Sequence, residues 1–365
     1  MIKCKINTYF CDWHTDENYL RIDINNSEKF ITVLDENAEI FNKLEKSALY
    51  IYAHSLSYLD FKEIDGIVEY YHNDGSGNLD FRKLGNYKNL VYLDLNVDSI
   101  LDADQLLSIH TAKLRYLSLN FKKISGLKGG LQSILQYFDK LIYLYIQLSQ
   151  EKIEVNLNYD FNNLKMLHLH AVHKKSKINF SELKNLEYLN LFCETVLQYD
   201  LHTLKSLRGL ELYNCLKDEN IDYISEMENL EAISIGSFRS LKRLPDFSKL
   251  KKLKSISLYN CNQLEDYTPL LNCPSLEYIG IDGVPKDYDI SKTFCLSALP
   301  NLKKFGSFGN RGYYLKPHLP EAQKLNEIFH GKYSPAFEHF YYYYLAEKPE
   351  DSYMQDFGNN NEQVE

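Results

Sequence analysis

The sequence predicts an α/β solenoid in which short parallel strands stack edge to edge, and three observations predict it. First, an apolar phrase, Leu-x-x-Leu-x-Leu, recurs ten times at first positions Leu90, Leu114, Leu141, Leu164, Leu186, Leu207, Leu230, Leu253, Leu276 and Leu302. Successive first positions lie 24, 27, 23, 22, 21, 23, 23, 23 and 26 residues apart, a period that belongs to stacked repeats rather than to a closed globule. Second, the phrase keeps its apolar character when leucine is replaced: Ile146, Ile233, Ile235, Ile256, Ile279 and Ile281 hold its later positions, and Leu302/Phe305/Ser307 is a worn tenth copy. Third, the two ends of the chain do not carry the phrase, as expected of a solenoid whose terminal units must cover an open apolar side.

The best copies are NLEYLNL at 185–191, SLRGLELYNC at 206–215, KLKSISLYNC at 252–261 and SLEYIGI at 275–281. These residues resemble leucine-rich repeat proteins over about residues 48–310. The resemblance implies a horseshoe with a parallel concave sheet. Many copies in that family carry Asn or Cys three residues after the last apolar position. Here Cys215 and Cys261 keep it, whereas Asp98, Lys122, Glu194, Phe238 and Val284 do not. A buried Asn ladder at this position is therefore expected to be largely missing, and the curvature to be irregular.

Outside the repeats, residues 1–47 are expected to form an N-terminal β-rich cap. Ile2–Asn7 and Tyr19–Ile24 alternate as half-buried strands do, and Phe30–Leu34 is a short extended apolar run. Residues 48–89 hold two degenerate units, Ala48/Ile51/Ala53 and Ile67/Tyr70/His72. In the returns between strands, Ile134–Phe138 and Ile221–Met227 have helical spacing, while Pro245 and Pro269 call for extended or single-turn paths. Residues 311–350 are expected to form a C-terminal helical cap, with one helix opening at Leu319-Pro320 and a second at Ser334-Pro335. Residues 351–365 are polar and acidic and are expected to be disordered.

Composition narrows the function. The chain of 365 residues has a net charge of −9. From Glu347 onward there are six acids and one base, so the body carries about −4. That balance argues against nucleic acid and anionic membranes and points to a protein partner, with a basic one favoured. No apolar run reaches membrane-helix length, and Met1–Asn7 has no apolar stretch of signal-peptide length. A cytoplasmic protein is expected. The seven cysteines are scattered with no CxxC pair, which suits free buried thiols.

Side chains alternate across a strand. If the leucines point inward, the third, fifth and seventh positions of each phrase face out on the concave wall. The third row runs Tyr92, Tyr116, Tyr143, Met166, Tyr188, Gly209, Ala232, Ser255 and Tyr278. The fifth holds Tyr145, His168, Asn190 and Glu211; the seventh holds Gln147, His170, Phe192, Tyr213, Gly236 and Tyr259. Tyrosine buries much area with few rotors and keeps a hydrogen-bonding tip, which enriches it at interfaces. The expected partner-binding stripe is Tyr92, Tyr116, Tyr143, Met166 and Tyr188, flanked by Tyr145, His168, His170, Phe192 and Tyr213. The bland alternative is that tyrosine is common here, 30 of 365 residues, and favoured in strands. Small residues at Gly209, Ala232, Gly236 and Gly280 would leave room for a bulky partner segment, or reflect sequence drift alone.

No catalytic constellation is present: there is no GxSxG, no phosphate loop ending in Lys-Ser/Thr and no HExxH. His168-x-His170-x-x-His173 is the one metal-like cluster, and it lacks a local Cys or carboxylate at ligand spacing. No metal or cofactor is expected. The charged second positions of the phrase (Arg115, Lys165, Glu187, Arg208, Glu231, Lys254, Glu277 and Lys303) alternate in sign along much of the stack, as solvated cross-strand pairs do. The expectation is a non-catalytic protein-binding scaffold. Richness in Ile, Lys, Asn and Tyr suggests a bacterial coding bias, and a toxin-neutralising immunity protein or an effector is the finer form of this reading. The competing readings are a divergent enzyme domain in residues 1–89, drawing on Asp12, His14, Asp16, Glu17 and His54, and a purely structural assembly scaffold.

Overall fold

The computed structural model describes residues 4–6, 19–24, 66–73, 90–99, 114–123, 135, 137–148, 156–157, 161–172, 176–283, 290–307 and 320–334. All ten copies of the phrase form strands: β4 (Leu90–Ser99), β5 (Tyr116–Lys123), β6 (Tyr143–Leu148), β8 (Met166–Val172), β10 (Tyr188–Cys193), β11 (Gly209–Tyr213), β12 (Ala232–Gly236), β13 (Ser255–Tyr259), β14 (Tyr278–Asp282) and β15 (Lys304–Ser307). Each pairs in parallel with the next, inside one sheet of 14 strands. The degenerate unit at Ile67 becomes β3 (Gly66–Asn73), which joins β4 in parallel. Before it, β1 (Cys4–Ile6) and β2 (Tyr19–Ile24) pair antiparallel with one another and with β3. The segments Ala48–Ala53 and Phe30–Leu34 lie outside the described residues.

Register carries the periodicity into three dimensions. Leu189, Leu210, Ile233, Ile256, Ile279 and Phe305 sit side by side across six strands, and so do Leu191, Leu212, Ile235, Leu258, Ile281 and Ser307. The leucine and isoleucine side chains of both rows are at most 1% exposed. At the strand entry each repeat repeats one backbone device. The carbonyl of the second position accepts the next repeat's second and third N–H groups, from Arg115 to Lys304 without a break. Lys165 and Met166 both donate to Ile142, for example, at 2.9 and 3.0 Å.

Several of the described returns are tighter than α-helices. Phe180, Leu183 and Leu186 recur every third residue, as do Leu201, Leu204 and Leu207, then Ile224, Met227 and Leu230, and Leu270, Cys273 and Leu276. All are buried, and the second and third N–H groups of each trio bond the carbonyl three residues back. Apolar residues exactly one 3-10 turn apart stack on a single face of such a turn. The segment at Ile221–Met227 is accordingly a 3-10 helix over Asp222–Glu226, not an α-helix. Pro269 sits in the single-turn segment Thr268–Asn272, and the return around Pro245 has no helix. A two-stranded sheet of β7 (Asn156–Leu157) and β9 (Lys177–Ile178) links two returns.

Two further ladders hold the repeats in line. Asn185, Ser206, Asn229 and Asn301, each just before the first leucine, donate to the carbonyls of Asn162, Lys184, Lys205 and Pro274 in the preceding repeat, at 2.6 to 3.0 Å. These strand-entry bonds are exposed, a different feature from a buried Asn ladder. At the strand exit, Asn214, Ser237, Asn260 and Gly283 take positive φ of 63°, 58°, 53° and 61°. Asn tolerates this left-handed region better than other non-glycine residues, which explains the Asn of the two LYNC copies. Cys193, Cys215, Cys261 and Cys273 are buried and free, with Cys193 Sγ 3.7 Å from Cys215 Sγ.

At the far end, the helix Pro320–Ile328 begins at the proline, as the sequence predicts. Phe329 follows it and stacks on Phe305, rings 4.0 Å apart. Tyr333–Ser334 form a short strand β16 beside β15, which carries the sheet up to the Ser-Pro pair. The rest of the expected second helix and the acidic tail lie outside the described residues.

Leu210 has no exposed surface, so Leu210→Asp is expected to cost about 4 kcal/mol or more in urea unfolding, while exposed Lys251→Ala stays within about 0.5 kcal/mol. A Cβ on Gly283 would lie 2.2 Å from Asn260 Oδ1 and 2.8 Å from its backbone N. Gly283→Ala is therefore expected to lose about 1–3 kcal/mol by the same measurement, with Asn260→Gly nearly neutral.

Candidate functional site

The concave rows stack as the sequence arranges them. Tyr92, Tyr116, Tyr143, Met166, Tyr188 and Gly209 are register partners in succession. Tyr145, His168, Asn190, Glu211, Ser234 and Ser257 form the next row. Gln147 opposes His170, and Phe192, Tyr213, Gly236 and Tyr259 continue that row beyond a register shift between Leu191 and Cys193.

The sequence expectation that these side chains stand open fails for the centre of the stripe. Tyr143 and Tyr188 are 1% exposed, and Met166 and His168 are 2% exposed. The His168 ring lies between the two tyrosines, its centroid 5.2 Å from Tyr143 and 4.7 Å from Tyr188. Facing away from the leucine core is thus not the same as facing solvent. Tyr213, at 9%, is buried as well. Tyr145, His170 and Phe192 remain half-buried and form a contiguous set. Tyr145 approaches His170 at 5.2 Å, and His170 stacks on Phe192 at 6.0 Å with a 20° interplanar angle. The side chains of Tyr92 and Tyr116 lie outside the described residues.

Burial also accounts for the titration of His170. Desolvation lowers its pKa from 6.5 to about 4, against the raising effect of a hydrogen bond with Asn190. At neutral pH the ring is uncharged and can stack. His168 shares its face, but His173 lies outside the described residues, and among those described no group of three or more His, Cys, Asp or Glu is placed to hold a metal.

Of the small residues, Gly236 has an internal purpose. Tyr213 hydroxyl is 3.0 Å from Ser234 Oγ. A Cβ on Gly236 would fall 2.1 Å from the Tyr259 ring, so the space at Gly236 is filled by this chain's own tyrosine rather than kept for a partner. Tyr213 and Tyr259 pack at 5.5 Å, and burial raises the Tyr259 phenol well above its ordinary range, assisted by the negative charge of Glu211. The sequence reading assigns no role to Glu211, which has no exposed surface and accepts a hydrogen bond from Asn190 Nδ2. The one signal for it is an acid in a row whose neighbouring rungs are short polar residues, Asn190 and Ser234. The Oγ atoms of Ser255 and Ser257, both buried, have no hydrogen-bond partner among the described residues.

Along the strand-entry edge, the charged second positions do pair across repeats. Glu187 meets Lys165 at 2.9 Å and Arg208 at 3.5 Å; Arg208 reaches Glu231 at 3.0 Å; Glu277 meets Lys254 at 3.7 Å and Lys303 at 2.9 Å. Such half-exposed pairs contribute about 0–1 kcal/mol each, so they set register more than stability.

The period, the inward leucine rows and the parallel pairing of successive repeats define a leucine-rich repeat solenoid. Solved structures similar to it include a leucine-rich repeat protein of Leptospira interrogans, at 17% identity over 69% of this chain and 68% of that one with a TM-score of 0.43. An internalin from Listeria monocytogenes is 17% identical over 67% of this chain and 80% of its own, with a TM-score of 0.38. The mouse RP105/MD-1 complex matches at 16% identity, 65% and 53% coverage and a TM-score of 0.34. No protein-family model and no curated protein matches the sequence. Among the described residues, no helix is long and apolar enough to cross a membrane.

The low pKa of His170 gives a signed expectation. Between pH 6.5 and about 4 the unfolded chain binds a proton at this ring that the folded chain does not, so stability falls as pH drops through that window. Replacing His170 by Phe is expected to flatten that part of the curve of melting temperature against pH; identical slopes in both proteins would refute the assignment.

Proposed function

We propose that this solenoid is a non-catalytic scaffold that binds a partner protein on its concave face, at the edge formed by Tyr145 of the fifth-position row and by His170 and Phe192 of the seventh. The observation that carries this is the contiguous half-buried set Tyr145, His170 and Phe192, held ring against ring on three adjacent strands. A rigid parallel sheet orders these rings before any partner arrives, so little side-chain freedom is lost on binding. The neutral His170 adds an aromatic surface without the cost of desolvating a charge. Tyr143, Met166, His168 and Tyr188, buried as they are, act in this reading as the support that fixes the outer rings. Tyr213, the register partner of Phe192 and packed against Tyr259, borders the set on its far side.

The finer reading is a cytoplasmic bacterial protein, either a toxin-neutralising immunity protein or an effector, acting on a basic partner. What supports it is the net charge of −9 and the lack of any catalytic motif in the sequence.

Affinity purification from the native host, followed by mass spectrometry, tests the reading. Tyr145→Ala/His170→Ala/Phe192→Ala is expected to lose the partner recovered by the wild-type chain while retaining its circular dichroism spectrum. Unchanged recovery by the folded triple variant would remove the concave edge as the binding surface. Loss of about 2 kcal/mol or more of affinity from a single one of the three would mark it as the anchor.

A further inference from the structure

The alternation of charge along the strand-entry edge breaks at one place. From Lys165 to Lys303 the second positions alternate in sign, and the ion pairs named above run between neighbours. In the two repeats before Lys165 the row reads Arg115 and Ile142, so an apolar residue stands between two cations. Lys140, exposed and two residues before Ile142, adds a third positive group. A groove of about 470 Å³ opens at this break, lined among others by Arg115, Lys140, Ile142, Lys165, Asn185 and Glu187. Its lining thus carries three cations and one carboxylate, in a chain whose net charge is −9.

We propose that this groove binds a short, extended, acidic segment of a partner protein. The half-exposed Ile142 forms an apolar floor for one side chain of that segment, and Arg115, Lys140 and Lys165 meet its carboxylates. Glu187, bonded to Lys165 and Arg208, repels a carboxylate at its end and sets the limit of the acidic stretch. Asn185 Nδ2 is tied to the carbonyl of Asn162 at 2.6 Å, which fixes that wall before binding. Three strand spacings separate the rungs of Arg115 and Glu187, about 14 Å, the reach of about four extended residues. A nucleic-acid strand fits less well. The lining holds no aromatic ring for a base to stack on, and the negative charge of the rest of the chain repels a long polyanion. The groove lies on the strand-entry edge, apart from Tyr145, His170 and Phe192, so its test and that of the concave edge fail independently.

Fluorescence anisotropy of the full chain with fluorescein-labelled octaglutamate, at about 50 mM salt where surface charge is little screened, tests the proposal. Saturable binding is expected. Lys140→Glu should weaken it about tenfold and Lys140→Gln by less, while Lys140→Arg and the distant Lys251→Glu leave it unchanged. Lys140 is exposed, and circular dichroism of each variant confirms the fold. No saturable binding, an equal loss in Lys251→Glu, no loss in Lys140→Glu, or tighter binding of octalysine or of a thymidine octanucleotide would each overturn it.

Discussion

Every feature of this molecule depends on the lateral backbone pairing of one repeat with the next. A single strand and its return cannot bury the leucines they carry; the neighbours must supply the other side of the core. The paired N–H donors at each strand entry lock successive repeats at one height. Once height is fixed, every position of the phrase acquires a partner of its own kind. Leucine rows, charged rows, the Asn and Ser side-chain ladder and the left-handed exit turns all follow from that constraint. The energy of any one contact is small, but a slip of one residue would turn every leucine outward at once.

The concave face shows how a sheet surface turns into a second interior. Polar groups are costly to bury unless partnered, and here Asn190 serves Glu211 while Tyr213 meets Ser234. Aromatic rings fill the spaces left by glycine and serine, as Tyr259 does over Gly236. The result is a face that is crowded along most of its third and fifth rows and more open at Tyr145 and along the seventh row from Gln147 to Phe192. What surface remains open lies toward the margins of the wall, where Tyr145, His170 and Phe192 keep part of theirs and where the charged strand-entry row runs.

Much of the fold was legible in the chain because its signal is repeated ten times. The inward set, the strand positions and the order of the concave rows could be written down from spacing alone. The alternating charges of Lys165, Glu187, Arg208 and Glu231 were also readable as cross-strand pairs. The returns were less legible: Ile221, Ile224 and Met227 show a spacing of three, which suits a 3-10 turn, yet a short apolar run of this kind also fits one turn of α-helix. The strand at Tyr333–Ser334 is only two residues long, too short for its alternation to register in the sequence.

The sequence by itself determined which residues share a row, because a period of two within the strand and about 23 between strands leaves one consistent stacking. It could not determine how much water each row meets. Tyr143 and Tyr145 are two residues apart, on the same face and of the same type, yet the first is sealed and the second is half-open. Periodicity fixes direction, a property of the backbone. Exposure is set by everything that crowds around a side chain, such as His168 between its two tyrosines, and only the tertiary structure brings those neighbours together.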